Sequence, residues 1–477
     1  MKFTKFLTRN DEMKKLAFLL LFAVAILIGC AFNNTNAKQD KNIYVALNGN
    51  DQNNGTKSKP FRTLKKAASE AMAGTTVYIR KGTYYEKLIV KHSGTKSKPI
   101  IFKPYNNEKV VLSGKKIKNV EGDTSLVDIK NKNYLTISGI TIQDLTTKLT
   151  DETVMGIYVT GSSSHIKLEN NHVQWIETRA EDGNAHGIAI YGTGPMKDIT
   201  ISKNTVEELK LGSSESLVLN GNINGFKVEN NLVRRNDNIG IDLIGYEGTS
   251  ANKKADYVRN GIVKNNKVYK ISSYGNPAYG KDYSAGGIYV DGGKNITIEG
   301  NIIYKNDIGI EATSEHAKKY ADRINIKNNI IYNNHYTGIS IGGYDEKRGG
   351  TINSKISQNI IYRNDTKGLD GGQLLLQHDL KNNVIEKNIL TAGPSRLFIA
   401  NYFTTIEKNK LIKNVFHKEK GKSGIWVWKD GEYTSFSKFK KVSKSDVKSS
   451  YLDPKYVNVN KYNFRLKKES PARKIVK

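Results

Sequence analysis

The chain has 477 residues, 38% of them apolar, with 42 glycines, one cysteine and a formal net charge of +29. That composition supports a buried core, more readily a long thin one than a thick globular one given so many turn glycines, and it excludes an intrachain disulfide. The lysines are scattered through turn-like stretches instead of lining one helix, so the charge suits long-range attraction of a polyanion without identifying which.

In chain order, the basic start Met13-Lys14-Lys15 leads into an apolar run over 16–28, which at 13 residues is too short for an ordinary membrane span. The run closes on Leu27-Ile28-Gly29-Cys30, which resembles a bacterial lipobox. The resemblance implies cleavage before Cys30 and a lipid on its sulfur, hence an exported protein anchored to the membrane. Losing residues 1–29 removes five basic and two acidic side chains and leaves +26. We expect a signal over 1–29, a linker over 30–42, the main domain over 43–417, and C-terminal strands and a cap over 418–477. Export and the lack of any recognisable motif argue against nucleic acid as a partner, and a monomer is expected.

Leu64, Ala67, Ala68, Ala71 and Met72 then follow the i, i+3, i+4, i+7, i+8 pattern of an amphipathic helix, with Thr63 as N-cap and Gly74 as stop. Such a helix would cover an exposed end of a repetitive core. Beyond it, one phrase recurs: "IKLENNHV" at Asn171, "ITISKNTV" at Asn204 and "FKVENNLV" at Asn231. It returns at Asn266, Asn301, Asn329 and Asn359, with echoes at Asn388 and Asn409. From Asn171 to Asn388 the intervals are 27 to 35 residues. Between these asparagines a second phrase repeats, as in "GIYVTG", "GIAIYG", "GIDLIG" and "GISIGG". Each unit holds short alternating strands and no helical period. Stacked units of this kind predict an all-β fold, a right-handed parallel β-helix of about ten or more coils with an N-terminal capping helix, whose turn asparagines form a ladder.

Alternation places the acids. In "GIDLIG", Ile241 and Leu243 point inward and Asp242 outward, while one coil earlier Leu217 and Leu219 point inward, with Glu215 at the matching corner and Asn220 outward. Coils lie about 4.8 Å apart, so one calcium ion, with oxygen ligands at about 2.3–2.6 Å, could join carboxylates of two coils. Two coils are also longer than the rest. From the ladder Asn to the next phrase, Asn171 and Asn266 need 16 and 21 residues where Asn231, Asn301 and Asn329 need 8 or 9. Insertions collect on binding faces of repeat proteins, and the longer one brings Lys281 and several tyrosines toward the acids.

The opening "IYVALNGNDQNNGTKSKPFRTLKKA" with "VYIRKGTYYEKLIV", and the closing "DPKYVNVNKYNFRLKKESPAR", resemble bacterial β-helix polysaccharide lyases. The acids and the insertion resemble the ninth, pectate lyase-like, family of these lyases. The resemblance implies Ca2+ as cofactor, held by Glu215, Asp237, Asn238 and Asp242, with Lys281 as catalytic base. Asn238 stands where the family has a carboxylate, Glu215 is longer than an aspartate, and one residue is inserted before Asp242.

The expected function is cleavage of a uronate-containing acidic polysaccharide by calcium-assisted β-elimination. A neutral lysine amine removes the C5 proton while the glycosidic oxygen leaves C4, which implies an alkaline optimum. Asn220, Tyr283, Tyr289, Asp291, Glu311 and His186 are expected to bind substrate, with Tyr279 and Trp175 as further stacking surfaces and His316 as a second proton acceptor. Two other classes stay open: a glycoside hydrolase using paired carboxylates such as Asp291 and Glu311, and a non-catalytic surface lipoprotein that binds glycans.

Overall fold

The computed structural model describes residues 41–117, 122–403, 406–419, 423–429, 431–444 and 448–476; the lipobox with Cys30 lies outside them. Among the described residues, no helix is long and apolar enough to cross a membrane. A compact unit runs from Asn42 to Lys477. It is a right-handed parallel β-helix. Each coil has three faces, typified by the consecutive strands Gly286–Asp291, Lys294–Glu299 and Ile302–Tyr304. The first two faces belong to a 27-stranded sheet and the third forms a 13-stranded one.

The register explains why the phrases recur. On the first face Ile157, Ile188, Leu217, Ile241, Ile288, Ile310, Ile339 and Leu374 pair successively, coil on coil, and all are buried. Because side chains alternate, one inward column per two residues suffices to fill a narrow, continuous core. Tyr269, Tyr304 and Tyr332 stack on the outside with ring centroids 4.7 and 4.8 Å apart, which is the coil spacing itself, and Tyr462 of the C-terminal segment caps the stack at 4.6 Å.

The asparagine ladder forms between the second and third faces. The side-chain oxygen of Asn266 accepts from the backbone N–H of Asn231 at 2.9 Å and from its side-chain amide at 3.0 Å, while the same amide donates to the carbonyl of Ile201. This pattern runs unbroken from Asn171 to Asn414. The residue before each ladder Asn has positive φ, as at Asn230, Asn265, Gly300 and Asn328, which is why the phrase so often reads Asn-Asn. Asn409 is not part of this row. The ladder passes from Asn388 to Asn414, and Asn409 closes a second row that runs from Ser354 through Asn383.

The N-terminal helix is Leu64–Glu70, capped by Thr63, whose hydroxyl accepts from Lys66 N–H. Leu64, Ala67, Ala68 and Ala71 are buried, but Met72 is 53% exposed because the helix has ended before it. At the other end an antiparallel hairpin, Ile425–Trp428 with Gly431–Tyr433, and the helix Phe436–Ser443 close the stack. Buried Phe439 lies over Trp426 there, ring centroids 5.6 Å apart.

Candidate active site

The outward column of the first face changes character along the stack. From the N-terminal side it reads Asp128, Tyr158, Ala189, Val218, Asp242, Tyr289, Glu311, Ser340, Leu375, Ala400 and Val427. Alternation therefore does put Asp242 outside the coil. It is nevertheless buried, as are Asp291 and Glu311, because loops and neighbouring side chains close over the face.

Burial raises the pKa of all these carboxyls, and the charges that act most strongly on them are one another's. Burial pushes Glu215 up to about 8, with Glu247 and Glu315 adding repulsion. Asp242 is raised well above the usual carboxylate range by burial, then by Glu215 and Asp291. Asp291 is raised well by burial and by Glu315. Glu311, which also hydrogen-bonds Ser340, is pushed up to about 8 by burial. In a chain of +29, this strip concentrates acidic groups where solvent cannot support their ionisation.

Two rims frame the strip. On one side, the loop after strand Ile241–Ile244 supplies Glu247 and the loop after strand Ile308–Thr313 supplies Glu315 and His316. His316 Nε2 lies 2.9 Å from Glu247 Oε1, and Asp291 accepts from the Glu315 backbone N–H at 2.7 Å. Tyr289 donates to Glu315 at 3.0 Å, and its hydroxyl is 2.7 Å from that of Tyr344. One donor atom from each of Glu247, Asp291 and His316 lies within 4.8 Å of the others. Two carboxylates and an imidazole at that separation fit a divalent cation, and the carboxyl-rich surroundings favour an oxygen-seeking one. On the other side, the long insertion folds over the strip: Tyr279 hydrogen-bonds Asn238 and feels the charges of Glu215 and Asp242.

The residues expected to ligate calcium are thus divided. Glu215 and Asp242 come together. The Asp237 carboxylate instead accepts from Leu211 N–H at 2.6 Å in a cleft shared with Trp175 and Glu177, and burial there raises its pKa to about 6. Asn238 is buried, its amide donating to the Gly212 carbonyl at 3.1 Å. Lys281 is exposed in the turn just after Tyr279. His186 lies under the strip with Nδ1 3.1 Å from the Glu215 carbonyl and Nε2 3.1 Å from the Tyr191 hydroxyl, and burial lowers its pKa to about 4. Its imidazole is therefore neutral near pH 7, with Tyr191 donating to Nε2.

Of the expected substrate contacts, Asp291, Glu311 and Tyr289 belong to the strip. Asn220 is buried and accepts from the Thr249 hydroxyl at 2.8 Å, holding the loop that carries Glu247. Tyr283 stacks on Tyr274 of the same insertion at 4.6 Å and meets His335 of a later coil edge-on. Trp175 is 42% exposed beside Asp237. Sequence reasoning did not single out Glu315, Tyr191 or Tyr344. Tyr191 was within reach, since it occupies an outward position of the repeated phrase "GIAIYG"; the other two come from irregular loops that periodicity cannot place.

The fold and this strip define a pectate-lyase-like, right-handed β-helix of the kind that carries carbohydrate-active sites. Residues 43–206 match the family model described as Pel9A-like, right handed beta helix region, and residues 254–439 match that described as right handed beta helix region. The chain is 59% identical over 469 residues to the uncharacterized protein YwoF of Bacillus subtilis (strain 168), covering 97% of this chain and 100% of that one, and it belongs to the same family. It is 29% identical over 140 residues to pectate lyase PEL9 of Emericella nidulans, spanning 29% of this chain and a third (33%) of that enzyme. Among solved structures, a GH136 lacto-N-biosidase from Eubacterium ramulus shares the fold at TM-score 0.54 and 13% identity, covering 78% of this chain and 68% of that one. The A-module of mannuronan C-5 epimerase AlgE6 from Azotobacter vinelandii does so at 0.50 and 14%, covering 80% and 91%.

Proposed function

We propose that this protein is a polysaccharide lyase that cleaves a uronate-containing polymer by cation-assisted β-elimination, and that it works at the outer face of a membrane through a lipid on Cys30. One observation carries the reading: a row of largely buried carboxyls that oppose one another's ionisation, so that they ionise together only with an external positive charge among them. Such a row costs stability in the empty protein, which supports a bound cation there, and through that cation an anionic sugar.

Glu247, Asp291 and His316 would hold the ion, with Asp242 and Glu315 alongside. A bound divalent cation would neutralise the sugar carboxylate and so acidify its C5 proton. Lys281, at the edge of the insertion, removes that proton as the neutral amine. Glu215, protonated below about pH 8, gives its proton to the departing glycosidic oxygen. Tyr279 and the insertion keep bulk water off the sugar between them. Neutral lysine is favoured by high pH and protonated Glu215 by low pH, so the rate profile is bell-shaped with its maximum on the alkaline side of neutrality.

A second reading rests on the same raised Glu215: a protonated carboxyl next to the carboxyl of Asp242 is also the acid and base of a glycoside hydrolase. The products separate the two. Incubation with polygalacturonate, alginate and glycosaminoglycans, with calcium and with chelator, yields ultraviolet-absorbing unsaturated ends if the protein is a lyase. Reducing ends without that absorbance overturn the lyase reading for the hydrolase. Retention of intact polymer on the protein, with neither product, leaves a glycan-binding lipoprotein.

A further inference from the structure

Behind the rim that carries Glu247 and His316 lies a cleft of about 480 Å³ that none of the roles above uses. The two loops that turn Glu247 and His316 toward the strip also build this cleft: one contributes Tyr246, Lys253 and Lys254, the other Lys318 and Lys319. Lys294, half-buried at the start of a second-face strand, completes it. Its ammonium lies 4.8 Å from the ring centre of Tyr257 and 5.8 Å from that of Tyr246, and Lys319 lies 5.0 Å from Tyr246.

Five ammonium groups around one cleft repel each other, and among the described residues none of the five makes an ion pair with a carboxylate. The nearby Asp322 is already held by Arg323 at 3.0 Å and by the Asn353 amide at 3.0 Å. The buried Asp256 accepts from the backbone N–H groups of Gly248 and Ser250 and so ties down the loop that presents Lys253 and Lys254. The arrangement is therefore anchored yet short of anions. Tyrosine rings beside the lysines offer apolar faces matching those of a sugar ring, while the ammonium groups match its anionic oxygens.

We propose that this cleft is a subsite for a second acidic sugar of the polymer whose neighbouring residue occupies the carboxylate strip. The inference rests on the reading of the strip as a site for acidic polysaccharide. It adds that the protein requires an anionic group beyond the residue being cleaved, which gives selectivity for runs of acidic sugars over isolated ones.

The test measures binding by titration calorimetry in calcium, with every protein carrying Lys281→Ala so that turnover does not interfere, using the full chain and a panel of galacturonate, mannuronate, guluronate and glycosaminoglycan oligosaccharides. The pocket variant K253A/K254A/K318A/K319A is compared with K59A/K65A/K438A/K441A, which removes as many exposed lysines elsewhere. The expected result is an affinity loss of about tenfold or more in the pocket variant and little change in the control. Equal losses would assign the effect to net charge, and no loss in the pocket variant would place the polymer elsewhere; either overturns the subsite and leaves the lyase reading standing. If the protein with all of its pocket lysines binds no acidic oligosaccharide in calcium, the reading of the strip falls as well. Inorganic phosphate serves as a further ligand, and its binding to the cleft in the absence of oligosaccharide binding also overturns the proposal.

Discussion

The middle of the first face and the stretches that flank it make the most informative comparison in the molecule. On the N-terminal flank, after Asp128 and Tyr158, the outward column presents Ala189 and Val218, packed with Met155 and Ile244; on the other flank, Leu375, Ala400 and Val427 pack with Leu397. Between them the same backbone positions, in the same parallel register, carry Asp242, Tyr289 and Glu311. Inward neighbours do not change across this boundary, since Leu219, Leu243 and Val290 are all fully buried. The coil scaffold is thus indifferent to what its outer surface bears, and chemistry is placed on it by exchanging a few outward side chains and lengthening the loops beside them.

Removing the acid–base machinery from the middle while leaving both flanks intact has the largest expected effect. Lys281→Ala lowers the rate of unsaturated-product formation by about 10²- to 10⁴-fold without shifting the unfolding transition, because the side chain is exposed. A variant that keeps its rate would move the base elsewhere, with the Tyr191–His186 pair next to be tested.

Asp242→Val makes the middle resemble the flanks. It abolishes turnover and yet stabilises the chelated protein by about 1–3 kcal/mol, since an apolar group replaces a buried carboxyl. Chemical denaturation at pH 8 measures this, and a loss of stability would mean that Asp242 holds the fold together. Asp291→Asn tests the rim: calcium or manganese titration is expected to show affinity reduced by about tenfold or more, and unchanged affinity would remove Asp291 from the ligand set.

The smallest effect is on stability against pH. Glu215 and Glu311, held up to about 8, keep protons in the folded chain that an unfolded glutamate sheds near 4.5. Wherever the folded state binds more protons, stability falls as pH rises. His186, held down to about 4, acts in the opposite sense but only below its unfolded value of 6.5. In chelator the Tm should therefore fall between pH 6.5 and 8, by about 2 °C or more, and an added divalent cation should flatten the slope. A flat profile in chelator would mean that the strip is not strained by its own charge.

Much of the architecture was legible beforehand because a β-helix writes its contacts locally. Each inward column recurs at every other residue, and each turn that needs an Asn with a left-handed residue before it repeats the same short phrase. The misassignments fell where that periodicity weakens, as at Met72 beyond a short helix and Asn409 in a second ladder row. The site was legible in part. Alternation found Asp242, Asp291 and Glu311, because outward direction follows from strand period, and it joined Glu215 to Asp242.

Corners and loops behave differently, since their side-chain directions follow no period. Asp237 is five residues from Asp242, yet its carboxylate is spent on the Leu211 backbone in another cleft. Glu247, Asp291 and His316 are separated by 44 and 25 residues and meet only through coil stacking. Sequence alone thus determined the fold, the core and the outward row of acids, which depend on short-range repetition. Only the tertiary structure decided which loop residues close over that row, because loop direction is set by packing between coils and not by the pattern within one.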